Sequence, residues 1–346
     1  YDEPNSYTKH YPSEKALLIA FIDLIHSLDP DIILGFEAQT QSLGYIVERS
    51  SVVLGHNICK KISRAIHKEL QNEHLHFRDE WGRMKQSGIH IRGRIVLNVW
   101  RALRHEVKLN IYTFENVAFH VLGRRFPFLS HQTRTKWYKW QEDDANTHQQ
   151  RATVILYYKK RTKANLELLY HLDFINRVAQ LAQVFGIEFF SVISRGSQFK
   201  VESMFIRLAK PRNYIVMSPS REQVRQQNAI ECLPLVMEPS SKLYSNPVIV
   251  LDFQSLYPSI IIAYNLCFST CMGKVEQSRT KKLGTLSNYT IPSDMLLNEK
   301  QLDDVFISPN KVMFVKDSIR PGVLPRMLRE ILDTRVMIKK AMQSLK

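Results

Sequence analysis

The stretch Pro247-Val248-Ile249-Val250-Leu251-Asp252-Phe253-Gln254-Ser255-Leu256-Tyr257-Pro258-Ser259-Ile260 admits few local structures. An apolar run ends on an acid. Ser255 to Tyr264 then reads as a helix, with Pro258 in its first turn, where a missing N–H costs nothing. The expected unit is a buried strand, a tight turn and a helix. Amides at such a helix start lack intrahelical acceptors and form an anion site. A carboxylate delivered beside them suits a metal-bound triphosphate, the acid holding Mg²⁺ and the amides holding phosphate oxygens. An Asp that only caps the helix, with no metal, fits the same residues. On these residues alone both readings stay open.

The 346 residues exceed one typical domain and imply about two. Helical spacing predicts a helix over Ser13 to Leu28, with Ser13 as N-cap and an apolar stripe of Leu17, Leu18, Phe21, Leu24, Ile25 and Leu28. A turn at Asp29-Pro30-Asp31 leads into a short strand, Ile32-Ile33-Leu34. Further expectations are a helix from Val47 to about Leu70, a strand from Arg94 to Val99, and a surface loop over Glu142 to Gln150. Asn165 to Phe185 reads as one helix closed by Gly186. These elements make an α/β domain up to about residue 190. Ser191 to Tyr244 reads as a connector with a strand-like Tyr214-Ile215-Val216 and a turn at Pro239-Ser240-Ser241, and Thr280 to Val305 as a polar loop. The last helix starts near Pro325. Leu324, Met327, Leu328, Ile331, Leu332 and Val336 form its apolar face, opposite Arg326, Arg329, Arg335, Lys339 and Lys340.

A formal charge of +15 and a pI near 9.6 call for a polyanionic partner, nucleic acid or an anionic membrane surface. No apolar run approaches the length that spans a bilayer, and Tyr1-Asp2-Glu3-Pro4 is unlike a signal peptide, so no membrane partner is expected. Arg124, Arg125, Arg134, Lys136 and Lys139 alternate with Phe126, Phe128, Trp137, Tyr138 and Trp140. That mixture suits a grip on single-stranded nucleic acid. The preferred reading is a loop and a helix whose Trp137 and Trp140 pack inward. Cys59, Cys232, Cys267 and Cys271 are too few for a disulfide scaffold and suit a reducing compartment. Cys267 and Cys271 lack a second pair for zinc, and His74 and His76 read as surface histidines. A start without Met and an end inside a helix lead us to expect a piece of a longer chain.

Asp252-x-x-Ser255-Leu256-Tyr257-Pro258-Ser259-Ile260 resembles the first catalytic motif in the palm of B-family DNA polymerases. Asn265-Leu266-Cys267-Phe268-Ser269-Thr270, Phe314-Val315-Lys316 and Arg320-Pro321-Gly322-Val323-Leu324-Pro325 resemble later segments in the same order. Arg195 to Val201 is similar to the stretch joining exonuclease domain to palm, and Asp29 to Gly35 to the strand entering the second exonuclease motif. The resemblance implies an α/β, RNase H-like exonuclease-type domain over residues 1–190, a connector over 191–245, and the first part of an α+β palm over 246–346, leading toward the fingers. Asp252 is then one of two metal-binding carboxylates, and the Phe253 carbonyl completes a metal's shell. The amides of Ser255, Leu256 and Tyr257 hold the triphosphate, and the Tyr257 ring excludes a ribose hydroxyl. Two Mg²⁺ ions, a dNTP, primer–template DNA and a nuclear location are implied. Accessory subunits would bind outside these residues, and the family's Asp-Thr-Asp motif would follow Lys346.

The chain departs from the proofreading members of that family. Their second exonuclease motif has Gly-Tyr-Asn and then Asn-Phe-Asp; here Gly35-Phe36-Glu37-Ala38-Gln39-Thr40-Gln41-Ser42 puts Ser42 in the catalytic acid's place. Their third motif is Tyr-x-x-x-Asp; here Tyr170 is followed by Phe174, with Asp173 one residue early. On a continuous helix one residue turns a side chain by about 100°. Neither Ser nor Phe supplies a carboxylate for Mg²⁺. The expected activity is translesion synthesis without proofreading. The alternatives are a non-catalytic DNA-binding scaffold, against which the intact Asp252 motif argues, and a proofreading polymerase, against which Ser42 and Phe174 argue. Cys232-Leu233 and Lys242 before Tyr244 fall where relatives have glycines near template backbone, so template contacts there are not carried over.

Overall fold

The computed structural model describes residues 8–65, 89–139, 145–216, 220–225, 237–274 and 303–345. They fall into two compact units, divided between Lys200 and Val201.

In the first unit, strand β1 (Ile32–Gly35) pairs in parallel with β2 (Ile95–Asn98), Ile32 opposite Ile95 and Gly35 opposite Asn98. Side chains alternate across a strand, and here the alternation divides two cores. Val96 and Ile33 pack with Ile25, Leu43, Ile58 and Ile62 on one side. Leu97, Ile32 and Leu34 pack with Leu103, Phe114, Leu168 and Phe174 on the other.

Ser13 caps the helix Glu14–Leu28 by accepting from the Ala16 amide at 3.2 Å. Leu18 and Ile25 are its buried residues, whereas Leu17, Leu24 and Leu28 of the expected stripe are exposed. Asp29 ends the helix in the left-handed region (φ 40°), and its carboxylate meets two arginines. Arg64 Nε lies 2.8 Å and Arg94 Nη1 2.7 Å from Asp29 Oδ1. Arg94 is buried, and it also donates to the carbonyls of Ile62 (2.9 Å) and Pro30 (2.6 Å).

Several expected elements are corrected. The helix placed from Val47 to Leu70 is Leu43–Leu54, ended by Gly55 at φ 72°, followed by a short turn of helix Ile58–Lys61 capped by Asn57. Its expected continuation past residue 65, with His74 and His76, lies outside the described residues, as do Trp140, 141–144 of the expected loop, Cys232-Leu233 and most of 280–305. Helix Ala145–His171 occupies the rest of the expected loop. The single helix over 165–185 is two, because Asp173 adopts φ 47° between Ala145–His171 and Phe174–Phe185; Gly186 closes the second as expected. The stretch read as a connector contains helix Ser197–Ala209, and Tyr214 to Val216 forms no strand.

In the second unit, β3 (Cys271–Lys274), β4 (Val305–Ile307) and β5 (Val312–Val315) make an antiparallel sheet in the order β3-β5-β4. Helix Leu256–Ala263 packs against helix Val323–Ser344. Ala209, Cys267 and Val323 form a small core with Phe205, Leu208, Tyr214 and Leu324. The last helix buries only its start: Val323, Pro325 and Met327 are inside, but Ile331 and Val336 of the expected face are exposed. The buried strand expected over Pro247 to Phe253 is absent. These residues form no regular secondary structure and are exposed, with no strand partner among the described residues. Apolar composition favours a strand, but a ladder requires a second backbone.

Candidate nucleotide site

Helix Leu256–Ala263 begins abruptly. Ser255 takes a left-handed conformation (φ 56°, ψ 46°), which turns the chain into the helix. The Ser259 amide donates to the Ser255 carbonyl at 3.0 Å. Pro258 has no N–H, and the Leu256 and Tyr257 amides have no acceptor among the described residues. These two donors are the unsatisfied groups that the sequence motif requires. Asp252 and Phe253 stand just ahead of them, exposed, and Tyr257 is 80% exposed.

Arg335, on the following helix, brings its Nη1 to 3.4 Å from Ser255 Oγ and so places a cation beside the same turn. Sequence reading put Arg335 only on a basic face; the approach spans 80 residues and carries no local signal. Behind the turn, Asn265 locks the two helices. Its Nδ2 donates to the carbonyls of Val315 (2.8 Å) and Arg320 (2.9 Å), and its Oδ1 accepts from the Gly322 amide at 2.9 Å. Thr270 Oγ1 donates to the Asn265 carbonyl at 2.7 Å. Three segments singled out for family resemblance thus meet through one carboxamide.

The oxygens that Asp252 and the Phe253 carbonyl offer are a hard donor set, which suits Mg²⁺. It is incomplete, since no group of three or more metal-ligating side chains occurs among the described residues. Cys267 is buried, accepts from Ser269 Oγ at 3.1 Å, and belongs to the small core.

In the first unit, Ser42 precedes helix Leu43–Leu54, and its Oγ donates to the Glu37 carbonyl at 3.2 Å. Glu37 accepts from the buried Asn98 Nδ2 at 3.0 Å. Phe174 is 3% exposed within the core that contains Leu97 and Val99, while Tyr170 is almost fully exposed. Asp173 sits at the helix break and accepts from Asn176 Nδ2 at 2.8 Å. A left-handed break, not a helical step, separates Asp173 from Phe174, so the expected turn of about 100° along a helix does not apply to it.

Residues 2–117 match the family model for DNA polymerase family B, exonuclease domain, and residues 187–346 match that for DNA polymerase family B. The chain is 47% identical to the DNA polymerase zeta catalytic subunit of Homo sapiens over 336 residues, 96% of this chain and 10% of that protein. It is 43% identical to the subunit of the same name from Saccharomyces cerevisiae over 336 residues, 97% of this chain and 22% of that protein. Against the DNA polymerase delta catalytic subunit of Oryza sativa subsp. japonica the identity is 28% over 342 residues, covering 97% and 28%. The chain therefore spans 10% to 28% of the length of these relatives. No helix among the described residues is long and apolar enough to cross a membrane.

Proposed function

Since this chain is built of DNA polymerase family B domains, exonuclease-type and then polymerase, we propose that it is the part of a translesion DNA polymerase that carries the first palm motif and a proofreading domain without activity. In this reading, residues 1–190 are the RNase H-like exonuclease-type domain, 191–245 the connector and 246–346 the start of the palm. The full-length protein would extend a primer on a DNA template from dNTPs, in the nucleus, with accessory subunits bound outside these residues.

The observation that carries the reading is the turn at Ser255. Two helix amides without acceptors, those of Leu256 and Tyr257, open the helix just after Asp252 in sequence, and Arg335 reaches Ser255 at the same turn, which supports Asp252 as a metal ligand there. The Asp252 carboxylate and Phe253 carbonyl would hold one of two divalent cations, which when bound neutralise phosphate charge and favour attack of the primer 3′-hydroxyl on the α-phosphate. The chain's own groups bind and orient. The Leu256 and Tyr257 amides, with that of Ser255, hold phosphate oxygens at the positive end of the helix, and Arg335 adds charge close by. The second metal-binding carboxylate would lie outside these residues, so the chain alone should not polymerise.

Asp252→Ala in the full-length protein tests this. Incorporation should fall by several orders of magnitude while primer–template affinity stays close to wild type, because phosphate contacts along the duplex supply most of that affinity. Near-normal incorporation would remove Asp252 from the site. A full-length wild type that binds primer–template but never extends it would favour a non-catalytic scaffold.

A further inference from the structure

The basic and aromatic segment after Gly123 behaves differently from the inward-packing helix expected of it. Helix His131–Tyr138 has no buried residue at all, and Trp137 is only half-buried. It packs along helix Ala145–His171, and Arg134 pins the contact. Arg134 Nη1 donates to Tyr158 Oη at 2.7 Å, and its guanidinium lies over the Tyr157 and Tyr158 rings at 5.7 and 5.6 Å. Residues 124–139 contain five Lys or Arg and no Asp or Glu, and 145–163 contain five more, again with no acid.

Soluble surfaces usually mix the two signs, whereas each of these two stretches carries five cations and no acid, the acids Glu142, Asp143 and Asp144 lying between them in sequence. Some of these cations serve the fold: Arg124 pairs with Glu167, and Arg161 with Glu115. Lys136, Lys139 and Lys160 are exposed and have no ion pair among the described residues. Two large rings of the same segment are exposed as well, Phe128 just before the helix at 68% and Tyr138 at its end at 59%.

We infer that this pair of helices is a binding surface for single-stranded nucleic acid. Lysine ammoniums without partners answer the phosphates, and Tyr138 and Phe128 offer flat apolar faces for unpaired bases, which a duplex would keep stacked inside. An acidic protein would satisfy the charge but would leave the exposed rings without a role. The inference concerns the first unit alone and does not rest on the polymerase reading.

The test measures binding of a labelled oligothymidylate to the 346-residue chain by fluorescence anisotropy across rising salt. Lys136→Ala, Lys139→Ala and Lys160→Ala together should weaken binding about tenfold or more at ~0.1 M salt. The slope of log K against log salt should become shallower by about 2, roughly 0.7 for each lost contact. The control removes the same charge elsewhere, at exposed Lys9, Lys15 and Lys61, and should cost far less. Tyr138→Ala should weaken binding by about fivefold or more with the slope unchanged, because stacking involves no counterion. Lys→Gln at the same three positions keeps the side-chain stems and serves if the alanine variant melts early. Equal losses from the two triple variants would overturn the inference. So would a wild type that binds polyglutamate as tightly as oligothymidylate, or a Tyr138→Ala protein with unaltered affinity; the second would point to an acidic protein partner instead.

Discussion

The Gly322 amide donates to the Asn265 Oδ1 at 2.9 Å, joining a residue just past the C-cap of helix Leu256–Ala263 to the N-cap of helix Val323–Ser344. Asn265 is 2% exposed and left-handed (φ 52°), a conformation that Asn adopts more readily than most side chains. Its carboxamide serves the Gly322 N–H and the carbonyls of Val315 and Arg320 at once.

Asn265→Ala should therefore leave one amide and two carbonyls short of partners, at a cost of about 3 kcal/mol. Asp at this position keeps the bond to Gly322 but turns an anion toward the carbonyls of Val315 and Arg320, so it should be no better than Ala. Gly322→Ala approaches the same clasp from the other side. Its Cβ would lie 2.7 Å from Asn265 Oδ1 and 2.9 Å from Pro325 Cδ, and overpacking of this kind costs about 1–3 kcal/mol. Urea unfolding of the three variants reads these costs. A midpoint unmoved by Asn265→Ala would show that water replaces the clasp.

Asp29 gives a pH dependence whose sign is fixed. Hydrogen bonds from Arg64 and then Arg94 hold its carboxyl below the ordinary value. A carboxylate with a lowered native value stabilises the fold above its unfolded value of about 3.9, and that contribution disappears as pH falls through the native value. Wild type should therefore exceed Asp29→Asn in melting temperature near neutral pH, and the gap should close on acidification below about pH 4. A gap that stays constant down to pH ~2 would mean that the charge on Asp29 is not what Arg64 and Arg94 use.

What could be read in advance was what local chemistry decides. Ser13 as N-cap, Gly186 as C-cap and the helix start at Ser255 each depend on residues within one turn, and each is present. The break at Asp173 was not legible, since nothing in an Asp flanked by apolar residues marks φ 47°. The polar start of helix Ala145–His171 resembled a loop because a solvent-facing helix turn carries no apolar period. Helix Ser197–Ala209 was missed because its partners, Cys267 and Val323, are remote in sequence. At the site the same division holds. Asp252 and the free amides were visible as a motif, while Arg335 beside Ser255 and the Asn265 clasp connect positions 80 and 50 to 57 residues apart.

The exonuclease-type unit should not degrade a mismatched primer from its 3′ end in the full-length protein. Ser42 supplies only a hydroxyl, already donated to the Glu37 carbonyl, and Phe174 is core. Phe174→Asp should not restore digestion, because Ser42 still leaves the site short of an acid. It should instead destabilise this unit by about 3–5 kcal/mol, through a cavity and a carboxyl buried among Leu97, Val99 and Leu168. A gel assay with Mg²⁺ or Mn²⁺ decides the first point. Digestion that survives Asp252→Ala, and so is not reversal of polymerisation, would restore proofreading to this protein.

Tyr257 carries the last expectation. It contributes one of the two helix amides without an acceptor, so in the proposed site its ring lies close to the sugar of a nucleotide whose phosphates those amides hold. Within these residues the ring is 80% exposed at the helix start. The family resemblance gives the matching Tyr the task of leaving room for hydrogen but not hydroxyl at C2′. Excluding one hydroxyl by a clash in a packed site is worth several kcal/mol, at about 1.4 kcal/mol per tenfold in rate. Tyr257→Ala in the full-length protein should therefore raise ribonucleotide use relative to deoxyribonucleotide by one or more orders of magnitude, with a smaller loss of activity on dNTPs. The comparison is kcat/KM for a matched rNTP and dNTP in both proteins, with melting temperatures measured alongside. If the variant folds normally and the sugar ratio does not move, Tyr257 contributes its amide to the site and its ring does not select the sugar.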